Sequence, residues 1–174
     1  MSLSFYTLLA PMSGILLACL SCVSFALPDD QQQPITIAAD TATRDDRAGL
    51  TAYEGNVELT QGSLKITADT LTVTHDTSTA NVIVATGNPA TLTQQPEADQ
   101  PAVNASAGRI EYARSENRVH LSEAARIEQD GAIVTGQTID YLIDERRVRA
   151  DSDNQDGGKR VEVVIPPQVT AEDS

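Results

Sequence analysis

The chain has 174 residues, with 25 acidic against 12 basic side chains, a net charge of -13 and only 3% aromatic residues. So acidic a chain lacks the basic footprint that nucleic acid demands, and it gains nothing from an anionic membrane surface. Its length suffices for one domain with a real core.

Residues 1–26 stand apart. They carry no charged side chain, hold both cysteines (Cys19, Cys22) and both methionines, and end in the small-x-small pattern Ser24-Phe25-Ala26. This predicts a secretory signal peptide cleaved after Ala26, with the remainder exported. An uncleaved anchor is the alternative, because the segment opens without Lys or Arg and residues 5–27 nearly suffice to span a bilayer. A third reading, a lipoprotein box at Leu16-Leu17-Ala18-Cys19, fits poorly. Residues 27–174 contain no Cys, Trp or Phe, so disulfides and thiolate metal sites are excluded there. The core must come from Val, Ile, Leu and Ala, with Tyr53, Tyr112 and Tyr141 as the aromatics.

Beyond the polar lead-in Gln31-Gln32-Gln33-Pro34, apolar and polar residues alternate almost throughout. Val57 and Leu59 alternate with Glu58 and Thr60, Gln61-Gly62-Ser63 turns, and Leu64, Ile66 and Ala68 alternate with Lys65, Thr67 and Asp69. A period of two with a glycine in the gap predicts an antiparallel hairpin with one apolar face. The unit recurs with small residues at Ala39, Ala68, Ala107 and Gly136. An internal repeat of this kind implies units that bury their apolar faces only against one another. After three of these small residues the apolar parity resumes three residues on: Ala68 to Leu71, Ala107 to Ile110, Gly136 to Ile139. An extra residue is a β-bulge, which bends a strand, and a small side chain at the bend permits close approach. Strands bent in register predict a sheet folded over on itself, V-shaped or rolled in section. Gly55-Asn56 and Gly87-Asn88 punctuate the return strands at matching places, and residues 95–100 form the longest loop. No helical stripe is visible, so helix should be scarce. A polar break at 151–158 precedes a last strand at 161–165, stopped by Pro166-Pro167, and residues 169–174 are expected to fray.

The chemistry-bearing residues are few. His75 and His120 have no partners at metal-ligand spacing and are expected to face solvent. Asp151, Asp153, Gln155 and Glu162 echo a calcium loop, but Asp156 stands where glycine is needed and the flanks are strand. Arg146, Arg147 and Arg149 read as local charge balance. With no nucleophile elbow and no phosphate loop, neither an enzyme nor a cofactor or metal site is expected.

Three runs of sequence carry a family resemblance: P-I-T-I-A-A-D at 34–40, Y-E-G-N-V-E-L-T-Q-G at 53–62 and L-K-I-T-A-D-T-L at 64–71. With G-N-P-A-T-L at 87–92 and G-K-R-V-E-V-V-I-P at 158–166, this ordered set resembles the OstA/LptA family of lipopolysaccharide-transport proteins of Gram-negative bacteria. It covers nearly all of residues 34–168, and the chain is too short to carry the outer-membrane barrel of the larger relatives. The resemblance implies an all-β fold, an open-ended β-jellyroll of bent antiparallel strands over residues 27–168. It also implies a periplasmic carrier that stacks head to tail as a bridge between the two membranes, with LptC-like and LptD-like partners at its inner- and outer-membrane ends. Lipid A acyl chains would run along the apolar interior, with sugars and phosphates outside.

The inward parity nominates Ile35, Ile37, Val57, Leu59, Leu64, Ile66, Leu92, Ile110, Tyr112, Leu121, Ile127, Ile139 and Tyr141 as lipid-lining residues. The family places lipid contacts at the positions matching Ile35, Ile37, Leu92 and Tyr112, while Arg114 lies in the same strand pattern where an apolar residue would be expected. Each nominee can equally be plain core packing. The rival readings are a membrane-anchored LptC-like relative and a structural β-repeat module without a lipid cavity.

Overall fold

The computed structural model describes residues 30–76, 79–97, 99–152 and 160–167. The expected signal peptide at 1–26, most of the polar break at 151–158 and the tail at 169–174 lie outside these residues.

Among the described residues ten strands form a single antiparallel sheet: β1 (Thr36–Ala38), β2 (Thr41–Asp45), β3 (Leu50–Gln61), β4 (Leu64–Asp76), β5 (Thr79–Gln94), β6 (Val103–Ala113), β7 (Arg118–Gln129), β8 (Ala132–Leu142), β9 (Arg147–Asp151) and β10 (Glu162–Val164). Helix is confined, among the described residues, to two 3-10 turns at Asp30–Gln32 and Arg114–Glu116. β3 to β8 pair in sequence order as a meander. The two edges are each built from a pair of short strands. β1 and β2 share the free side of β3, and β9 and β10 share the free side of β8.

The bend has a visible cause. Every pairing from β3 to β8 shifts register near its middle, at Glu54/Val57, Thr67/Thr70, Thr86/Ala90, Ser106/Arg109 and Ser122/Ala125. In every pairing the surplus residues lie on the return strands β3, β5 and β7, which run unbroken through Gly55-Asn56 and Gly87-Asn88. Gly55 (φ 79), Asn56 (φ 45), Glu123 (φ 67) and Ala124 (φ 59) take left-handed conformations on this line. Small side chains accompany it: Ala68, Ala90, Ala107, Ala125 and Gly136. They let the sheet crease, and Ala90, Ala107 and Ala125 are at most 1% exposed. The crease divides each long strand into two arms, and one contiguous core holds residues of both arms. The two arms of the sheet thus face each other, as the bent strands predicted.

Candidate functional site

The inward side chains form rows that cross the sheet from edge to edge. On one arm, register pairing links Ile37, Leu59, Ile66, Leu92, Ala105, Ile127, Val134 and Val163 in unbroken succession. On the facing arm it links Ala42, Tyr53, Leu71, Ala85, Ile110, Leu121, Ile139 and Ala150. A further row on that arm runs Val73, Ile83, Tyr112, Val119, Tyr141 and Val148. Seven spacings of about 4.8 Å between its eight strands make the first row about 34 Å long. The alternation that makes each strand two-faced therefore also makes an apolar track perpendicular to the strands.

All thirteen residues nominated from sequence lie on this inward face. Eleven are at most 3% exposed, and Ile35 and Ile37 are half-buried against the same core near the β1 edge. In this structure they pack against one another, so the interior is filled by side chains. The rows emerge at the edges: Val148 is 39%, Val163 55% and Val164 47% exposed, and Ile165 just beyond β10 is 77% exposed. At the other edge β1 and β2 present a side that is unpaired among the described residues. Unpaired strand edges are templates for strand addition.

Opposite the crease, the two rows of strand ends come together along a seam that is polar. Gln61 (0% exposed), Gln94 (4%) and Asn117 (5%) are buried there. The Tyr141 hydroxyl donates to Gln94 Oε1 at 3.2 Å, joining β8 on one arm to β5 on the other. Burial pushes the Tyr141 phenol above its ordinary value, with the Arg146 charge opposing. Arg146 in the β8–β9 turn pairs with Glu97 in the 95–102 loop at 3.1 Å. The lead-in at 30–33 lies across the same seam. The Asp30 carboxylate accepts the Ser63 N–H and hydroxyl, both at 2.6 Å, and the Gln94 amide at 3.3 Å. Gln61 Nε2 donates to the carbonyls of Gln31 and Gln33, and Gln31 Nε2 reaches the Arg114 carbonyl at 3.3 Å. A cavity of about 230 Å³ lies between these groups, walled on its core side by Leu64 and Tyr112.

The sequence reading missed these polar residues. The signal that could have found them is parity: Gln61 follows Val57 and Leu59, and Gln94 follows Ala90 and Leu92, on the inward register. Two expectations also change. Arg114 is not a strand residue, because β6 ends at Ala113 and Arg114 opens a 3-10 turn. His75 continues the inward row of Leu71 and Val73 and meets Thr51 Oγ1 at 3.1 Å, whereas His120 faces outward and pairs with Asp140 at 2.8 Å. Among the described residues no three His, Cys, Asp or Glu side chains cluster as a metal site.

Comparison with known proteins then bears on what such a track serves. Residues 36–147 match the family model described as LptA/(LptD N-terminal domain) LPS transport protein. The chain is 33% identical over 166 residues to lipopolysaccharide export system protein LptH of Pseudomonas aeruginosa, covering 91% of this chain and 94% of that one. It is 34% identical over 146 residues to lipopolysaccharide export system protein LptA of Escherichia coli (strain K12), covering 83% and 77%. The crystal structure of LptH, described as the LptA-homologous periplasmic component of the conserved lipopolysaccharide transport device from Pseudomonas aeruginosa, superposes with a TM-score of 0.74 at 34% identity. That match covers 80% of this chain and 100% of that one.

Proposed function

The chain belongs to the LptA/LptD N-terminal-domain family of lipopolysaccharide transport proteins, and from that premise we propose that it is a periplasmic lipopolysaccharide carrier. Its signal peptide, residues 1–26, is removed on export. The acyl chains of lipid A lie along the apolar rows, touching Ile35, Ile37, Leu92 and Tyr112 among the thirteen inward residues, while sugars and phosphates stay outside. Copies stack head to tail through the β9/β10 edge of one and the β1/β2 edge of the next. An LptC-like partner takes the inner-membrane end of the stack and an LptD-like partner the outer-membrane end.

The observation that carries this reading is the track itself: apolar rows that run edge to edge and end at two unpaired edges. Stacked copies would join their tracks into one conduit. An acidic chain gains little by attracting an anionic glycolipid, so affinity must come from apolar burial, about 0.8 kcal/mol for each methylene. The rows contain no ring larger than tyrosine and no charged side chain, which suits a ligand that slides.

The test is photo-crosslinking in cells. A photo-reactive residue at Ile37, on the inward row, should form lipopolysaccharide adducts, and one at exposed Thr36 should not. Adducts at neither position, with the protein folded and exported, would sink the carrier and leave a structural β-module.

A further inference from the structure

The interior is reachable at the two sheet edges and along the seam, since every other boundary is closed by strand pairing. A lipid whose chains lie inside and whose sugars lie outside must pass through the seam at the junction of the two. We propose, resting on the carrier reading above, that the seam is the entry slot for that junction and that two polar latches hold it shut. The ligand chemistry is an acylated amino sugar, whose amide and ester carbonyls and hydroxyls meet the slot.

The first latch is the strap at 30–33. Asp30 grips the β3–β4 turn through Ser63 and the end of β5 through Gln94, while Gln31 grips the β6–β7 turn at Arg114. It therefore ties strand ends of one arm to a strand end of the other. The fit is close: a Cβ on Gly62 would stand 3.1 Å from the Asp30 Cα and clash with its carboxylate. The second latch is Glu97–Arg146, which joins two loops across the seam with side chains 54% and 52% exposed.

Between the latches sits the 230 Å³ cavity, with Leu64 and Tyr112 on its core side and Gln94, Asn117 and Asp144 around it. Amides donate and accept at once, so they can serve a carbonyl or a hydroxyl in turn as a chain slides past. The strap is held by hydrogen bonds and not by apolar packing, which makes it displaceable. Gln61 makes the same point. Its Nε2 serves two strap carbonyls, but its Oε1, in a residue 0% exposed, has no partner among the described residues. A buried acceptor without a donor is costly, so the closed strap is not the best arrangement this site can reach.

The experiment uses the full chain as exported, carrying Asp30→Cys with Ser63→Cys, and follows loading of fluorescently labelled lipopolysaccharide. Oxidised, the pair locks the strap, and loading should slow by about tenfold or more; reduction should restore the wild-type rate. Asp30→Ala should load faster than wild type. Should the first pair fail to fold, Glu97→Cys with Arg146→Cys locks the other latch through exposed side chains. Equal loading in the oxidised and reduced forms, with wild type binding normally, would overturn the slot and leave the carrier intact. No loading by any form, wild type included, would overturn both.

Discussion

Leu121 stands at the centre of the apolar track, 0% exposed, with Ile110 beside it on β6 and Ile139 on β8, both also 0% exposed. Leu121→Ala removes three carbons from a site whose walls are held by hydrogen-bonded strands on both sides, so little collapse can refill the space. Lost transfer energy and the residual cavity together should cost about 3–4 kcal/mol. For a chain of this size that lowers Tm by roughly 10 °C, at about 3 °C per kcal/mol. Ser122→Ala, one residue along and on the outer face, should cost less than about 0.5 kcal/mol. Urea and thermal denaturation measure both. The void also lies on the proposed acyl path, so lipid A should raise the Tm of Leu121→Ala by more than it raises that of wild type, through ordinary binding linkage. Equal losses from Leu121→Ala and Ser122→Ala would refute the assignment of faces. Equal lipid-induced shifts in variant and wild type would refute the path.

Other perturbations reach different parts of the molecule. Val163→Asp, at the 55% exposed end of the first row, should leave stability within about 0.5 kcal/mol while abolishing self-association in sedimentation. Ala124 sits at φ 59 in the β7 bulge, so Ala124→Gly should raise stability by about 0.5–1 kcal/mol, read by denaturation. Gly108→Ala should do the reverse, because its Cβ would lie 2.8 Å from the Glu123 Cβ. Tyr141 keeps its proton in the folded state beyond the pH at which the unfolded side chain loses it. Its contribution is thus intact below about pH 10 and lost as pH rises further, where the unfolded chain binds fewer protons. Tyr141→Phe should flatten that alkaline limb of a stability–pH curve.

The sequence alone was enough for the strands, the inward parity and the crease. Each is local. A period of two assigns the faces, so Leu59, Ile66 and Ile110 could be placed inside before any pairing was known. A slip of one residue after Ala68, Ala107 or Gly136 announces a bulge. The ordered motifs identified the family for the same reason, since they record this local pattern in series. Tertiary structure alone decided what meets across the seam. Glu97 and Arg146 are far apart in the chain, and so are Tyr141 and Gln94, or Asp30 and Ser63. Each looks like an ordinary polar residue of a loop or strand end. Nothing in their spacing marks them as partners, because what brings them together is the summed bend of six strands. His75 shows the same limit at one residue: its place on the inward row follows from the slip at the crease, while its bond to Thr51 depends on where the neighbouring strand ends. Periodicity is a property of the strand, and closure is a property of the sheet.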